Sequence, residues 1–372
     1  MEGMDQVCYQ EPLRTAPRAS RPTPRSPSKT TPVRQDAMQE NLIFVISPPR
    51  AGSTLLQRMV GSHSEVFTHP EPHLITPLAY LGYHDRVKAA PYDHINSAEA
   101  MKQFVDGLPH GEEDYLDALR AYADTLYGRM LGASGKARFL DKTPAYGLVL
   151  PFLTKLYPEA KYVVLTRHPL AVFSSYANSF FEGDWKEARK YNPVVERYVP
   201  AMAKLLRERP VPLLHVRYED LVQDPERHLE RIFAFVGLEN EPEAVDYGDR
   251  FEGAKKGAGD PIGAGRHKRP NAASVNKWAA EVAGDEEKLA LSIDMLSQLS
   301  DEDLEAWGSP RETLMAPLEE AGNAPAAKRI KNNYTMQRRV LLALRNNIHD
   351  RPHGKLIERV RYYCDVLLRD SL

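Results

Sequence analysis

The clearest hydrophobic pattern is the run Leu42-Ile43-Phe44-Val45-Ile46, apolar, β-branched and short. Such a run predicts a strand buried on both faces. It passes through Ser47-Pro48-Pro49-Arg50-Ala51-Gly52-Ser53-Thr54 into Leu55-Leu56-Gln57-Arg58-Met59-Val60, which reads as a helix. The alternation then repeats. Lys136 to Leu140 is a short strand candidate ending in Asp141-Lys142-Thr143-Pro144, and Leu148 to Leu156 reads as helical. Lys161 to Thr166 predicts a strand running into Arg167-His168-Pro169 and a helix through Val172, Ser175 and Tyr176. A helix from Pro193 to Glu208 leads to a strand at Pro212 to Arg217, followed by Tyr218-Glu219-Asp220-Leu221. Pro225 then opens a helix carrying Leu229, Ile232, Phe233 and Val236. Glu112 to Leu131 is a further helix, whose stripe Tyr115, Leu119, Tyr122, Leu126 and Met130 is expected to pack in the core.

Strands alternating with helices imply an α/β fold of three layers, a parallel β-sheet with helices on both faces. Chemistry in such sheets gathers beyond the C-terminal ends of the strands. Arg50, Lys142, Arg167 and Arg217-Tyr218 all fall at those ends.

The flanks differ in character. Residues 1–40 carry Pro12, Pro17, Pro22, Pro24, Pro27 and Pro32 among six Lys and Arg residues, with too little apolar surface to offset chain entropy. This reads as a disordered tail, either a basic docking segment or a passive extension. Residues 41–284 hold the α/β pattern, and 285–372 read as a helical extension. From Gly253 to Trp278 the chain is rich in Gly, Lys, Arg and Asn and shows no periodicity, as in a long loop or functional lid. The last 48 residues, from Pro325, carry eleven basic side chains against four acidic ones. They contain two amphipathic patterns, Met336 to Ile348 and Leu356 to Leu368. Their basic side suits an acidic partner or a membrane surface; a helical hairpin docked on the core is the plainer reading.

Composition narrows the classes. A net charge of -2 excludes a globally basic nucleic-acid binder. No stretch approaches the ~18 apolar residues of a membrane-spanning helix, and the N-terminus lacks the apolar core of a secretory signal. Cys8 and Cys364 show no metal-ligand spacing and suggest no disulfide framework, so a reducing cytoplasm is expected and no metal site.

The first strand, its loop and the helix make an anion cradle. First-turn N–H groups lack helical partners and the positive end of the dipole faces the same spot. Gly52 permits close backbone approach, Ser53 and Thr54 add hydroxyl donors, and Arg50 adds a charged fork. The loop is not a Walker A motif, because Ser53 follows Gly52 where that motif has lysine. Further on, His69-Pro70-Glu71-Pro72-His73 is expected to be extended, which would point Glu71 and His73 into one cleft.

On these motifs the chain resembles the sulfotransferases that use 3′-phosphoadenosine 5′-phosphosulfate (PAPS), over about Asn41 to Trp278. The resemblance implies the P-loop NTPase-like fold of that family. It makes Arg50, Ala51, Gly52, Ser53 and Thr54 the 5′-phosphosulfate loop, and Arg167 with Ser175 the 3′-phosphate motif. Lys142 in Asp141-Lys142-Thr143-Pro144 corresponds to a lysine stabilising the bridging oxygen as charge moves onto the departing phosphate. Glu71 matches a catalytic glutamate, with His73 the rival base. Lys277 and Trp278 resemble the basic contact and anchor of a lid, and Tyr218 a tyrosine near the nucleotide. PAPS would be the co-substrate, a hydroxyl-bearing acceptor the partner, and no metal is implied. Tyr80, Tyr83, Tyr92, Phe180, Phe181 and Trp185 are candidates for an apolar acceptor pocket. Another P-loop phosphotransferase and a non-catalytic nucleotide-binding module are the competing readings.

Overall fold

The computed structural model describes residues 36–84, 94–250 and 268–321. Five strands form one sheet: β1 (Leu42–Ile46), β2 (Val66–Pro70), β3 (Arg138–Lys142), β4 (Lys161–Thr166) and β5 (Leu213–Arg217). All pairings are parallel, in the order β2-β3-β1-β4-β5. The helices that position the site are α1 (Ser53–Val60), α2 (Glu112–Ser134), α3 (Pro169–Phe181), α4 (Val194–Glu208), α5 (Pro225–Val236), α6 (Lys277–Ala283), α7 (Glu286–Ser297) and α8 (Asp301–Trp307).

β1 is central and fully buried, which explains its unbroken apolar run. Its residues alternate between two cores. Leu42, Phe44 and Ile46 pack with α2, α3 and α4, while Ile43 and Val45 pack with Leu56, Met59 and Val60 of α1 and Leu229, Ile232 and Phe233 of α5. The fold is therefore three-layered, as the sequence pattern implies.

Three elements depart from expectation. β2 has no counterpart in the sequence reading, because Val66-Phe67-Thr68-His69-Pro70 is an edge strand with a mixed face. An edge position tolerates its terminal proline, which cannot donate to a ladder. β3 runs two residues later than Lys136 to Leu140, so Asp141 and Lys142 are strand residues opposite Phe44 and Val45. Two charged residues mimic a loop in sequence; here both are buried, and their polar groups have partners. The stripe on α2 is also corrected. Leu116, Leu119, Ala123, Tyr127 and Leu131 face the core, whereas Tyr122, Leu126 and Met130 are exposed. The helix carries two apolar stripes, and the inward one includes Tyr127, whose hydroxyl reaches buried Asp141 at 2.6 Å.

Beyond residue 285, Met295, Leu296, Leu299, Leu304, Trp307, Leu314 and Leu318 join the same core as α3 and α4. Trp307 Nε1 donates to the carbonyl of Arg167 at 2.9 Å, tying this segment to the end of β4. Lys277 and Trp278 begin α6 and are not loop residues; Trp278, Ala279 and Val282 supply its buried face. The tail readings for residues 1–35, the patterns Met336 to Ile348 and Leu356 to Leu368, the cysteines Cys8 and Cys364, Tyr92 and residues 251–267 lie outside the described residues. Among the described residues, no helix is long and apolar enough to cross a membrane.

Candidate functional site

Because the five strands are parallel, their C-terminal ends open on one edge. That edge carries a cavity of about 670 Å³. Each strand contributes there: Arg50 to Thr54 follow β1, Glu71 and His73 follow β2, Lys142 ends β3, Arg167 follows β4 and Tyr218 follows β5.

The loop after β1 is fitted closely to its surroundings. Arg50 and Gly52 have φ of 69° and 97°, and α1 starts at Ser53. A Cβ on Gly52 would lie 2.5 Å from the Tyr218 ring, so both conformation and space require glycine. Tyr218 also lies beneath the Arg167 guanidinium, 4.3 Å from the ring centre, and its hydroxyl is 2.7 Å from Ser274 Oγ. Arg167 Nη1 donates to the Arg50 carbonyl at 3.1 Å and Nη2 to the Ser274 carbonyl at 2.8 Å. Its Nε is buried without a partner. Burial lowers the Arg167 pKa, yet a guanidinium remains charged at any working pH. Arg50 Nε donates to Ser175 Oγ at 3.3 Å, bringing the two predicted anion motifs onto one wall. Ala51 is fully buried beneath the loop and does not border the cavity.

On the opposite side, Lys142 Nζ lies 2.5 Å from Glu71 Oε1, and His73 Nε2 lies 3.8 Å from Glu71 Oε2. Glu71 and His73 border the cavity. Lys142 is 1% exposed and stands behind Glu71 without bordering the cavity itself. The Glu71–His73 segment is not extended as expected. Both residues have positive φ, 28° and 52°, a conformation that costs on the order of 1–3 kcal/mol per non-glycine residue. The turn, not strand alternation, brings the two side chains to one cavity.

Beneath this turn lies Asp141, fully buried and accepting from Tyr127, Tyr146 and Thr143 hydroxyls at 2.6, 2.9 and 3.0 Å. Burial raises its pKa against those three hydrogen bonds.

α6 closes the remaining side. Trp278 borders the cavity and stacks on His168, with ring centres 4.2 Å apart; its Nε1 is buried without a partner. Glu281, one turn further on, accepts from Ser174, Asn178 and Trp185 at 2.6, 2.9 and 3.3 Å and pairs with Lys288, fastening α6 to α3. Burial alone would raise the Glu281 pKa; Lys288 and Ser174 outweigh it, and the net shift is downward.

Of the expected acceptor-pocket aromatics, Phe180 borders the cavity, with the Arg50 guanidinium 6.0 Å from its ring centre. Phe181 and Trp185 are buried in the core, and Tyr80 and Tyr83 do not reach the cavity. Tyr198 of α4 also lines it and was not foreseen; burial pushes its pKa up to about 12. Arg58, Asn178 and Arg269 were missed too. Arg58 and Asn178 stand one helical turn after Thr54 and Ser175, and that spacing was the available signal.

A family model described as the sulfotransferase family matches residues 42–242, more than half of the chain. The nodulation protein NoeE of Sinorhizobium fredii is 29% identical over 217 residues, covering 53% of this chain and 50% of that protein. A putative protein-tyrosine sulfotransferase of Caenorhabditis briggsae is 24% identical over 203 residues, covering 54% of this chain and 66% of that protein. The chain thus spans about half to two thirds of the length of these relatives. Among solved structures, the sulfotransferase domain of the Synechococcus PCC 7002 olefin synthase is 25% identical, with a TM-score of 0.45. It covers 70% of this chain and 95% of that one.

Proposed function

The chain belongs to the sulfotransferase family, and from that premise we propose that it moves the sulfuryl group of PAPS to a hydroxyl of a small-molecule, lipid or acyl-type acceptor. One observation carries the choice of donor. Arg167 and Ser175 border the same cavity as the Arg50, Gly52, Ser53 and Thr54 loop, and Arg50 Nε reaches Ser175 Oγ at 3.3 Å. A nucleotide with phosphates at both ends matches two sets of cationic and hydroxyl donors on one cavity wall. The residues therefore fit the donor.

When bound, PAPS supplies an activated sulfuryl group whose departure leaves negative charge on the 5′-phosphate. The first-turn N–H groups of α1, with Ser53 and Thr54, hold that phosphate, and Arg50 beside them meets the developing charge. Arg167 and Ser175 take the 3′-phosphate, and Lys277 and Trp278 cover the nucleotide from α6. Glu71 accepts the acceptor's proton as the oxygen–sulfur bond forms, with His73 beside it in reserve. Lys142, expected at the bridging oxygen, is held one side chain back by its pairing with Glu71. Its positive charge serves the departing phosphate through a short swing or at a distance.

The test is transfer of ³⁵S from labelled PAPS to a panel of aliphatic alcohol, sugar and acyl-carrier hydroxyls. The wild type labels at least one acceptor. Glu71→Gln keeps the shape, removes the base and lowers kcat by ~10²–10⁴-fold. No transfer to any hydroxyl, or full activity in Glu71→Gln with an aliphatic alcohol, contradicts the proposal.

A further inference from the structure

The turn that carries Glu71 is strained and poor in hydrogen-bond donors of its own. Pro70 and Pro72 have no N–H, and Glu71 and His73 both hold positive φ. Something outside the turn must fix it. We propose that Gln57 and Tyr146 are positioning residues that clamp its two ends and so place Glu71 against the acceptor, an inference that rests on Glu71 being the base.

The entering end is held from α1. Gln57, one turn after Ser53 and only 5% exposed, donates through Nε2 to the His69 carbonyl at 3.1 Å and to Thr68 Oγ1 at 2.8 Å. Thr68 Oγ1 in turn donates to the Leu140 carbonyl at 2.8 Å. A buried amide in an otherwise apolar helix face persists when its hydrogen bonds are made. Here those bonds tie the helix of the anion loop to the strand that delivers the base.

The leaving end is held from below. The Tyr146 hydroxyl accepts from the Ile75 N–H at 3.2 Å and donates to Asp141 Oδ2 at 2.9 Å. Its ring is fully buried beside Phe44 of the central strand. Asp141 adjoins Lys142, the partner of Glu71. The turn is thus anchored at both ends to rigid strands and helices, and its middle is drawn inward by the ion pair. A base held this way keeps the near-attack geometry on which rate depends steeply.

Tyr127 provides the control. Its hydroxyl donates to the same Asp141 oxygen at 2.6 Å from α2, with no hydrogen bond to the turn. Tyr127→Phe and Tyr146→Phe each remove one buried hydroxyl from one carboxylate; only the second unfastens the turn.

The experiment measures kcat with the best aliphatic alcohol of the transfer panel, affinity for adenosine 3′,5′-bisphosphate, and thermal stability. The variants are Tyr146→Phe, Gln57→Leu, Tyr127→Phe, Glu71→Gln and the double variant Glu71→Gln/Tyr146→Phe. Tyr146→Phe and Gln57→Leu should each lower kcat by about tenfold or more, within the ~10²-fold that a displacement of 1 Å can cost. Nucleotide affinity should hold. Tyr127→Phe should lose stability and keep kcat. In the Glu71→Gln background, Tyr146→Phe should lower kcat no further, the non-additivity of a residue acting through another. Equal kcat in Tyr146→Phe and Tyr127→Phe, or a fully additive loss in the double variant, overturns the clamp and leaves Glu71 as base. Full activity in Glu71→Gln overturns both. If Tyr146→Phe does not fold, Gln57→Leu decides alone.

Discussion

Gly52 meets two demands at one position, a φ of 97° and the face of Tyr218 where a side chain would otherwise begin. Gly52→Ala should destabilise the protein by about 1–3 kcal/mol, the range for forced backbone and overpacking strain. It should also weaken adenosine 3′,5′-bisphosphate, because Tyr218 can yield only by shifting Arg167, which stacks on it. Thermal denaturation with and without the nucleotide checks this; an unchanged melting temperature and an unchanged ligand-induced rise would contradict it. At this scale the sequence was most readable where chemistry is compressed into few residues. Arg50, Gly52, Arg167 and Ser175, each singled out by its motif, stand together in the structure. Gln57, Tyr146 and Tyr198 gave no such sign, because the first two act through partners 11 and 71 positions distant and Tyr198 through cavity shape.

Elements were legible where burial is uniform. β1 and β4 are fully or nearly fully buried runs, and α5 shows one apolar face with a proline at its start. The reading failed where two patterns competed, as on α2, or where an edge strand such as β2 presented no pattern at all. α6 begins at the end of a polar stretch, which hid its start, and is held by Glu281 and by the stack of Trp278 on His168. That histidine makes the junction sensitive to acid. Burial lowers the pKa of His168 to about 4, and His215 beside Thr166 is likewise at about 4, both against an ordinary 6.5. Below pH 6.5 the unfolded chain takes up protons at both positions and the folded one does not. Stability therefore falls as pH drops from 6.5 toward 4. At pH 5 the loss should be about 2 kcal/mol per histidine, near 1.4 kcal/mol per pH unit. Urea unfolding at pH 7 and pH 5 measures it, and His168→Gln should lose less between the two than the wild type does. An identical loss would remove His168 as a contributor.

For the whole molecule, the parallel sheet is the decisive fact. With β1 central and every strand running the same way, residues separated by up to 168 positions, from Arg50 to Tyr218, are delivered to one edge. That convergence was readable from the alternation of strands and helices. The way residues 285–321 complete the core was not, since their amphipathic pattern does not say which face of which layer they cover. The function proposed for the assembled edge requires a site for a nucleotide carrying phosphates at both the 5′ and 3′ positions, and calorimetric titration with adenosine 3′,5′-bisphosphate and adenosine 5′-phosphate tests this most directly. The wild type should prefer the bisphosphate by about 1.5–3 kcal/mol, the scale of hydrogen bonds to a charged group, and Arg167→Ala should erase most of that preference while leaving the 5′-phosphate nearly unaffected. Equal affinities for the two nucleotides in the wild type, or an equal loss of both in Arg167→Ala, would contradict it.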